Sequence, residues 1–422
     1  MVEVTIVQKE NKFLEYKQAV SKSYLKTVSA FANYNDGQIV FGLSDDLRVI
    51  GIDCPIDVCL NIENQINDSI KPRPDYELKI NKDNTISLFV KRGRNTPYRF
   101  DGKAYKRSDT STVEVDDIEE KRLILSGMNI SFEELSCGED DLKFDYLGEK
   151  LSEALNLENF GLDTMKSLNL YNQKTGYNNA AKLLADHNDF PGLDVAVFGN
   201  SINVFRKRRT FSGESLLKQY FDCIELYKDE YVVEKIADGL RQKSELIPID
   251  AFREALANAL VHRVWDIKAD TKVEMHPDRV IISSPGGLPA DMSVDDYVRG
   301  NYSYLRNPIL ANVFRRMNII EAFATGIRRI NEAYKDVPSK PVYNVSNASV
   351  SVTLPIIDKA KLTEGERRVL DSLKENRLYS RAEIEKISGT AKDTLIRILN
   401  SLIEKGFIEK AGQARGTSYR KK

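Results

Sequence analysis

The sequence predicts a multidomain protein of the α+β class, and three observations lead to that prediction. The chain has 422 residues, which at about 100 to 200 residues per domain allows two to four domains. Amphipathic helix candidates alternate with short strand candidates bounded by turn residues over most of the length. The last sixty or so residues form a distinct unit with its own pattern.

Composition indicates a globular chain and a reducing compartment. The sequence contains 62 Lys and Arg against 63 Asp and Glu, a formal net charge of −1, and 41% hydrophobic residues. Its four cysteines are too few and too scattered for a disulfide framework. No stretch approaches the roughly 20 apolar residues of a membrane helix, and the N-terminus lacks a signal-peptide pattern. We therefore expect a cytoplasmic protein without a membrane partner.

Changes in pattern along the chain predict four segments. Residues 1–125 mix one amphipathic helix with short strands, and residues 126–245 open on an acidic connector and end beyond a basic run at 206–209. Residues 246–358 carry a long helix candidate followed by strands and Gly/Pro loops. Residues 359–422 complete the chain as a separate unit.

The C-terminal segment shows three helix starts, each with a capping residue followed three positions later by an acid. In the third helix an apolar stripe faces one side, while Arg397 and Asn400 face the other. Three helices followed by a basic hairpin resemble a winged helix-turn-helix, whose third helix enters the DNA major groove. Such small domains also serve as protein-docking modules. The three capping pairs are Thr363 with Glu366, Ser380 with Glu383, and Thr390 with Asp393.

Charge supports the DNA-binding interpretation of this segment. Residues 359–422 hold 16 Lys and Arg against 9 Asp and Glu, a net charge of +7 that leaves −8 on the rest of the chain. Arg397 and Asn400 have side chains suited to guanine and adenine edges. Phosphate contacts are expected from cations on the hairpin, including Lys410, Arg415 and Arg420.

A helix candidate reading PIDAFREALANALVHRVW carries Glu254 and Asn258 four residues apart. Their side chains should therefore share one helical face, where a carboxylate and an amide oxygen suit a magnesium ion and an oriented water. Downstream, glycines at 286 and 287 would let the backbone approach a ligand closely. Thr325 and Gly326 open another helix candidate, and helix N-termini favour phosphates.

This ordered set resembles a divergent branch of the GHKL ATPases, which include gyrase, histidine kinases and MutL. The branch occurs in proteins proposed to be bacterial transcriptional regulators. The resemblance implies bound ATP and Mg²⁺, with Glu254 as the base that activates water and Asn258 as the magnesium ligand. Two motifs depart from the family, because its adenine-reading aspartate falls on Ser284 with Leu288 in place of the second glycine, and a glycine of a later loop falls on Ala324. The implied nucleotide contacts are Asn258, His262, Ser284, Gly286, Gly287, Arg306, Asn307, Thr325 and Gly326.

The sequence contains no GxxxxGK[ST] loop, which excludes a P-loop motor or helicase.

The strings ENKFLEYKQ, LKTVSAFANYNDGQIVFGLSDDLRVIGID and PYRFDGKAYKRSDTST resemble the Schlafen/Alba-type nucleic-acid-binding domain over residues 5–120. Within it, residues 91–107 are strongly basic and contain Tyr98, Phe100 and Tyr105, aromatic rings that could stack on bases. A solvated basic hairpin is the alternative. The predicted nucleic-acid contacts are Lys91, Arg92, Arg94, Lys106 and Arg107.

Some Schlafen relatives are metal-dependent ribonucleases built on three carboxylates. Glu10 and Glu15 match the two glutamates of that motif, and Asp45 or Asp46 is a candidate for the third. The leading prediction is a homodimeric DNA-binding regulator whose ATP-binding domain modulates DNA binding or oligomerisation. The alternatives are a Schlafen-like ribonuclease acting on RNA, and a scaffold with a degenerate ATPase core.

Overall fold

The computed structural model describes residues 9–237, 240–289, 292–300, 305–321, 325–335, 337–357, 363–374, 377–405, 407–411 and 417–421. The chain divides into two compact units, Met1–Leu135 and Ser136–Lys422. Both units combine helices with sheets, which confirms the predicted multidomain α+β class. Within these ranges no helix has the length and apolar character to span a membrane.

The N-terminal unit contains two four-stranded sheets, ordered β1-β2-β5-β4 and β3-β6-β7-β8. Its elements are β1 (Leu14–Lys17), α1 (Tyr24–Tyr34), β2 (Gly37–Phe41), α2 (Pro55–Ser69), β3 (Ile70–Lys71), β4 (Tyr76–Ile80), β5 (Ile86–Val90), β6 (Arg99–Phe100), β7 (Lys103–Ser108), β8 (Ser111–Glu114) and α3 (Asp117–Gly127).

Helix α1 is the centre of this unit because it packs against β5, β6 and β7. Most of its residues are buried, including Leu25, Val28 and Phe31. The amide of Asn33 accepts a hydrogen bond from the backbone N–H of Tyr98 at 2.7 Å and donates to the Tyr98 carbonyl at 3.0 Å. This buried side chain therefore fixes the segment that precedes β6 against the helix.

The second unit is built on a six-stranded sheet ordered β12-β11-β15-β16-β18-β17, in which only the β11/β15 pairing is parallel among the described strands. Its elements are α4 (Asp145–Leu155), α5 (Leu162–Ser167), β9 (Tyr171–Asn172), β10 (Gly176–Tyr177), α6 (Asn179–Leu184), β11 (Leu193–Phe198), β12 (Phe205–Phe211), α7 (Leu216–Tyr231), β13 (Val232–Ala237), β14 (Leu240–Glu245), α8 (Ile249–Val261), β15 (Thr271–Met275), β16 (Arg279–Pro285), α9 (Val294–Arg299), α10 (Pro308–Arg316), α11 (Gly326–Ala333), β17 (Val342–Val345) and β18 (Ser349–Pro355).

Helix α8 packs on this sheet against β16 and β18, whose alternate residues are buried. Arg263, just beyond the helix, is fully buried and donates to the Gly192 carbonyl at 3.4 Å and to Thr271 Oγ1 at 3.1 Å. Burial lowers the pKa of this guanidinium to about 10, and Asp270 opposes the shift. The side chain lies over the Trp265 ring. These contacts anchor the C-terminal end of α8 to the sheet.

The C-terminal segment forms three helices and a three-stranded sheet ordered β19-β21-β20. In α14 the residues Leu395, Leu399 and Leu402 are buried, as their spacing predicts. The elements are α12 (Glu364–Asp371), β19 (Leu378–Ser380), α13 (Arg381–Ser388), α14 (Lys392–Glu404), β20 (Ile408–Ala411) and β21 (Ser418–Lys421).

Two of the three predicted caps are confirmed, since Thr363 with Glu366 and Ser380 with Glu383 form capping boxes. The third prediction is wrong. The Ala391 carbonyl accepts the hydrogen bond from the N–H of Leu395, so Ala391 is the N-cap and Thr390 lies one residue outside the helix.

Glu366 also links two helices of this segment. Its carboxylate accepts hydrogen bonds from Lys405 Nζ at 2.7 Å and from Ser401 Oγ at 2.5 Å. Burial alone would favour the protonated acid, but the bonds from Lys405, Ser401 and Thr363 outweigh it and lower the pKa of Glu366 to about 2. The ionised carboxylate therefore holds α12 against α14.

Substitution Glu366→Gln should loosen α12 at neutral pH by about 2 kcal/mol, the free energy of a hydrogen bond to a charged group. A carboxyl group whose pKa is lower in the folded chain than in the unfolded chain stabilises the fold at pH values above the pKa of the unfolded chain. The difference in α12 opening between Glu366→Gln and the unaltered protein should therefore disappear as the pH falls from about 4 to about 2. Hydrogen exchange of the α12 amides measures this opening. The exposed neighbour variant Glu364→Gln is the control, and equal exchange in both variants at pH 7 would contradict the assigned role.

Candidate nucleotide site

The site begins on α8, where Glu254 and Asn258 share one face as the sequence predicts. Glu254 is only 6% exposed. The side-chain amide of Asn258 hydrogen-bonds the Glu254 carboxylate. Because an amide can only donate to a carboxylate through its nitrogen, this bond leaves Asn258 Oδ1 available to another partner.

Helix α11 starts directly against this pair. A Cβ atom added to Gly326 would overlap Glu254 Oε1 and lie 2.6 Å from Asn258 Nδ2. Only glycine allows this approach of the α11 N-terminus to the α8 face. The two helices therefore place a carboxylate, an amide and a helix N-terminus next to one another.

The ionisation of Glu254 is set by burial and by nearby cations. Burial raises its pKa above the ordinary value, while Arg329, the Asn258 bond and Arg253 oppose that shift. A carboxyl group with a raised pKa is a stronger base when ionised. Arg329 also pairs with Glu321, which keeps this guanidinium close to the site. The position suits a residue that takes a proton from water.

A cavity of ≈ 190 Å³ lies beside these helices. Residues from α8, from the loop after β16, from α10 and from the start of α11 line it together with parts of β17 and β18. Eight of the nine predicted nucleotide contacts lie on its wall, namely Asn258, His262, Ser284, Gly286, Gly287, Arg306, Thr325 and Gly326.

Asn307, the ninth predicted contact, is 2% exposed and absent from the described cavity wall. Its amide nitrogen donates to the carbonyls of Val261 at 2.7 Å and Arg263 at 2.8 Å. These bonds satisfy backbone acceptors at the end of α8. The structure thus gives Asn307 a positioning role behind the cavity.

The loop after β16 depends on its two glycines. Gly286 has φ +100°, and a Cβ there would overlap the Val264 side chain. A Cβ on Gly287 would lie 2.8 Å from the Ser346 carbonyl oxygen. Arg306 donates to the carbonyls of both His262 and Gly287 at 2.9 Å, so it ties this loop to the end of α8.

Ser284 occupies the position where the family has an aspartate. Its hydroxyl donates to the Ala259 carbonyl at 2.6 Å and lies on the cavity wall. Because that bond uses the only hydroxyl proton, the oxygen can only accept from a ligand. Ser284 therefore keeps the acceptor character that an amino group requires. Ala324, the other departure, lies outside the described residues.

Two tyrosines on the cavity wall were not predicted. Tyr297 on α9 and Tyr343 on β17 lie edge to face with ring centroids 6.1 Å apart. Burial raises the pKa of Tyr297 to about 12, so its hydroxyl stays protonated. The two tyrosines lie far apart in the sequence, so no local spacing predicts their contact.

The donor set fits a magnesium ion that is shared with a nucleotide. In the described part of the chain no group of three or more His, Cys, Asp or Glu side chains could hold a metal by itself. Mg²⁺ in phosphotransfer sites is commonly held by one or two protein oxygens together with substrate phosphates. Asn258 Oδ1 would supply the protein oxygen, and the ion would neutralise phosphate charge.

Two of the N-terminal residues predicted to contact nucleic acid form ion pairs within the protein. Arg107 has a buried side chain that bonds Glu15 at 3.1 Å and Thr112 at 2.9 Å. Lys106 pairs with Glu119 at 2.6 Å. Arg107 is therefore unavailable to nucleic acid in this structure, which corrects the prediction. Glu15 lies 92 positions from Arg107 in the sequence, so no local pattern predicts this pair.

The predicted stacking role is also wrong for two of the three N-terminal aromatic residues, while Phe100 is half-buried and remains a prediction. Tyr98 and Tyr105 are 4% and 6% exposed and belong to the protein interior. Lys91, Arg92 and Arg94 lie in the segment after β5, where Lys91 and Arg94 are exposed and the backbone N–H of Arg92 donates to Asp36. These three residues remain predicted contacts.

The three candidate nuclease carboxylates have separate environments. Glu10 accepts a hydrogen bond from the backbone N–H of Tyr16 at 2.7 Å, and Glu15 pairs with Lys17 at 2.7 Å as well as with Arg107. Asp45 is exposed in a turn. The ribonuclease alternative stays a prediction that these contacts do not favour.

On the C-terminal segment, Arg397 and Asn400 are exposed on α14, and Lys410 is exposed on β20. Arg420 pairs with Glu409 across the β20/β21 hairpin. Arg415 lies outside the described residues.

Comparison with known proteins identifies two regions of the chain. Residues 10–116 match the family model described as "Schlafen, AlbA_2", and residues 268–354 match the model described as "Putative ATP-dependent DNA helicase recG C-terminal". The crystal structure of the DIP2311 protein from Corynebacterium diphtheriae is similar with a TM-score of 0.51 and 16% sequence identity, over 97% of this chain and 92% of that chain. No curated protein matches.

The chain therefore combines an N-terminal Schlafen/AlbA_2 domain with an ATPase-like domain, as the sequence predicted. At 16% identity the DIP2311 structure shows a shared fold alone. The pair of domains indicates a nucleic-acid-associated, ATPase-related function.

Substitution Glu254→Gln should raise the midpoint of thermal unfolding at pH 7, because it removes a charge that burial penalises. A carboxyl pKa raised by folding costs stability while the group is ionised, and the cost vanishes as the group protonates. The difference should therefore shrink as the pH falls toward 4. Calorimetry measures it, with the exposed Glu158→Gln variant as control. A lower midpoint for Glu254→Gln at pH 7 would contradict the assignment.

Proposed function

We propose that this protein is a DNA-binding transcriptional regulator whose ATPase-like unit binds ATP with Mg²⁺. The observation that carries the proposal is the outward face of α14. Its inner residues are buried in the C-terminal core, while Arg397 and Asn400 are exposed one turn apart. An exposed arginine and asparagine on one helical face are the side chains that read guanine and adenine.

The elements around α14 support a winged helix. α13 precedes it across a short connection, and the β20/β21 hairpin follows it with Lys410 exposed. In that fold the third helix enters the major groove and the hairpin contacts phosphates. The sequence lacks a P-loop, so unwinding of a duplex is not part of the proposal.

ATP would lie in the cavity beside α8. Phosphates would approach the N-terminus of α11 at Gly326 with the magnesium ion on Asn258, and an amino group of the base would donate to Ser284. Nucleotide binding can regulate DNA binding only if two arrangements of the protein differ in their affinity for ATP. A homodimer, in which ATP changes the pairing of two copies, would provide two such arrangements.

Substitution Arg397→Ala should weaken binding to a cognate DNA duplex by about 1 to 3 kcal/mol and binding to random duplex by less. A binding selection from random sequences supplies the cognate site, and fluorescence anisotropy measures both affinities. The control is Arg367→Ala, an exposed arginine on α12. Equal losses of affinity for cognate and random DNA would show that Arg397 contacts phosphate and does not read a base.

Isothermal titration of the full chain should show ATP binding that is stronger with Mg²⁺ than without it. Asn258→Ala should abolish the magnesium dependence, because it removes the oxygen that would hold the ion. Asn172→Ala, which changes an exposed asparagine on β9, should behave as the unaltered protein. Absence of any heat of binding at millimolar ATP would refute the nucleotide site while leaving the DNA-binding proposal to its own test.

A further inference from the structure

Strand β12 forms one edge of the six-stranded sheet and carries four consecutive basic residues, 206–209. Every residue from 201 to 210 is exposed. An edge strand leaves one side of its backbone unpaired, so hydrogen-bonding groups as well as cations are accessible along it. The functions proposed above make no use of this strand.

The cations of β12 outnumber the carboxylates that face them. One carboxylate, Glu230, pairs with both Arg206 at 2.9 Å and Lys207 at 2.7 Å. Asp194 pairs with Arg208 at 2.9 Å. Two carboxylates therefore pair with cations of a four-residue basic run, and the strand keeps a net positive charge. Arg206 and Lys207 keep 57% and 44% of their side chains exposed, so a polyanion can contact both cations while the buried carboxylate of Glu230 stays paired.

An aromatic stack adjoins the basic run. Phe205 is 57% exposed, and its ring centroid lies 4.8 Å from that of Phe198. Phe198 in turn stacks on His276 at 4.6 Å with an interplanar angle of 6°. Phe205, whose ring is tilted by 43° to that of Phe198, is thus the outer member of a supported aromatic cluster and presents its ring to solvent beside Arg206.

We propose that β12 binds single-stranded nucleic acid, with the phosphate backbone along Arg206–Arg209 and a base stacked on Phe205. Basic strands joined to exposed aromatic rings bind single strands with little sequence preference, because every base offers a flat face. Edge charges also prevent strand-to-strand aggregation. That role accounts for the cations but does not require an exposed, supported phenylalanine. The site is separate from the duplex-binding face proposed on α14.

The test uses fluorescence anisotropy of the full chain with labelled oligothymidylate, oligouridylate and a random duplex. Phe205→Leu keeps the apolar contact with Phe198 but removes the ring, and it should weaken binding to both single strands by roughly 5- to 100-fold. Phe205→Tyr should restore most of the affinity. Arg209→Gln should lower the slope of log affinity against log salt by about 0.7. The two oligonucleotides distinguish DNA from RNA as the preferred strand.

Matched controls are Leu162→Ala, an exposed apolar residue, and Lys174→Gln, an exposed cation of the same unit. Neither should change single-strand affinity. The proposal is overturned if the unaltered chain binds no single strand, or if Phe205→Leu and Arg209→Gln bind as tightly as the controls. Competition by polyglutamate at the same charge concentration as the oligonucleotide would assign β12 to an acidic protein partner instead.

Discussion

The approach of α11 to α8 at Gly326 is the constraint on which the candidate site depends. A side chain at that position would displace either Glu254 or Asn258, so the pair keeps its geometry only while residue 326 lacks a Cβ. The C-terminal end of α8, one turn beyond Asn258, is fixed in a different way, by Asn307 and Arg263, which bond the backbone carbonyls of Val261 and Gly192. The part of α8 that lines the cavity is therefore held at two points, by the start of α11 and by the bonds at its C-terminal end.

Two buried glutamates show how partners decide the role of a carboxylate. Glu366 receives the ammonium group of Lys405 directly, and its pKa falls to about 2. Glu254 receives an amide, with Arg329 acting on it as a nearby charge, and burial raises its pKa. A permanently ionised carboxylate is suited to holding helices together. A carboxylate that burial destabilises is suited to accepting a proton, which is the chemistry that water activation needs.

Sequence predicted the features that depend on local spacing. The Glu254/Asn258 face and the α14 stripe follow from helical periodicity, and both are confirmed. Sequence did not predict the features that depend on contacts between residues far apart in the chain. Arg107 meets Glu15 across 92 positions only because the sheets bring them together. The bond of Ser284 to the Ala259 carbonyl likewise depends on how α8 packs on β16. The third cap failed by one residue, because the helix begins after Ala391, whose side chain has no hydrogen-bond acceptor.

Paired charges also decide which basic segments can bind a polyanion. The stretch 91–107 is the more basic by sequence, but its cations meet Glu114, Glu119 and Glu120, which follow it in β8 and α3. The run 206–209 meets two carboxylates and lies on a sheet edge. In the first case Arg99, Lys103, Lys106 and Arg107 each pair with a different carboxylate, whereas in the second case Arg206 and Lys207 share Glu230. Unequal compensation, not the number of cations, therefore favours β12, and a net charge near zero is compatible with a nucleic-acid surface because the acids are not distributed to match the cations.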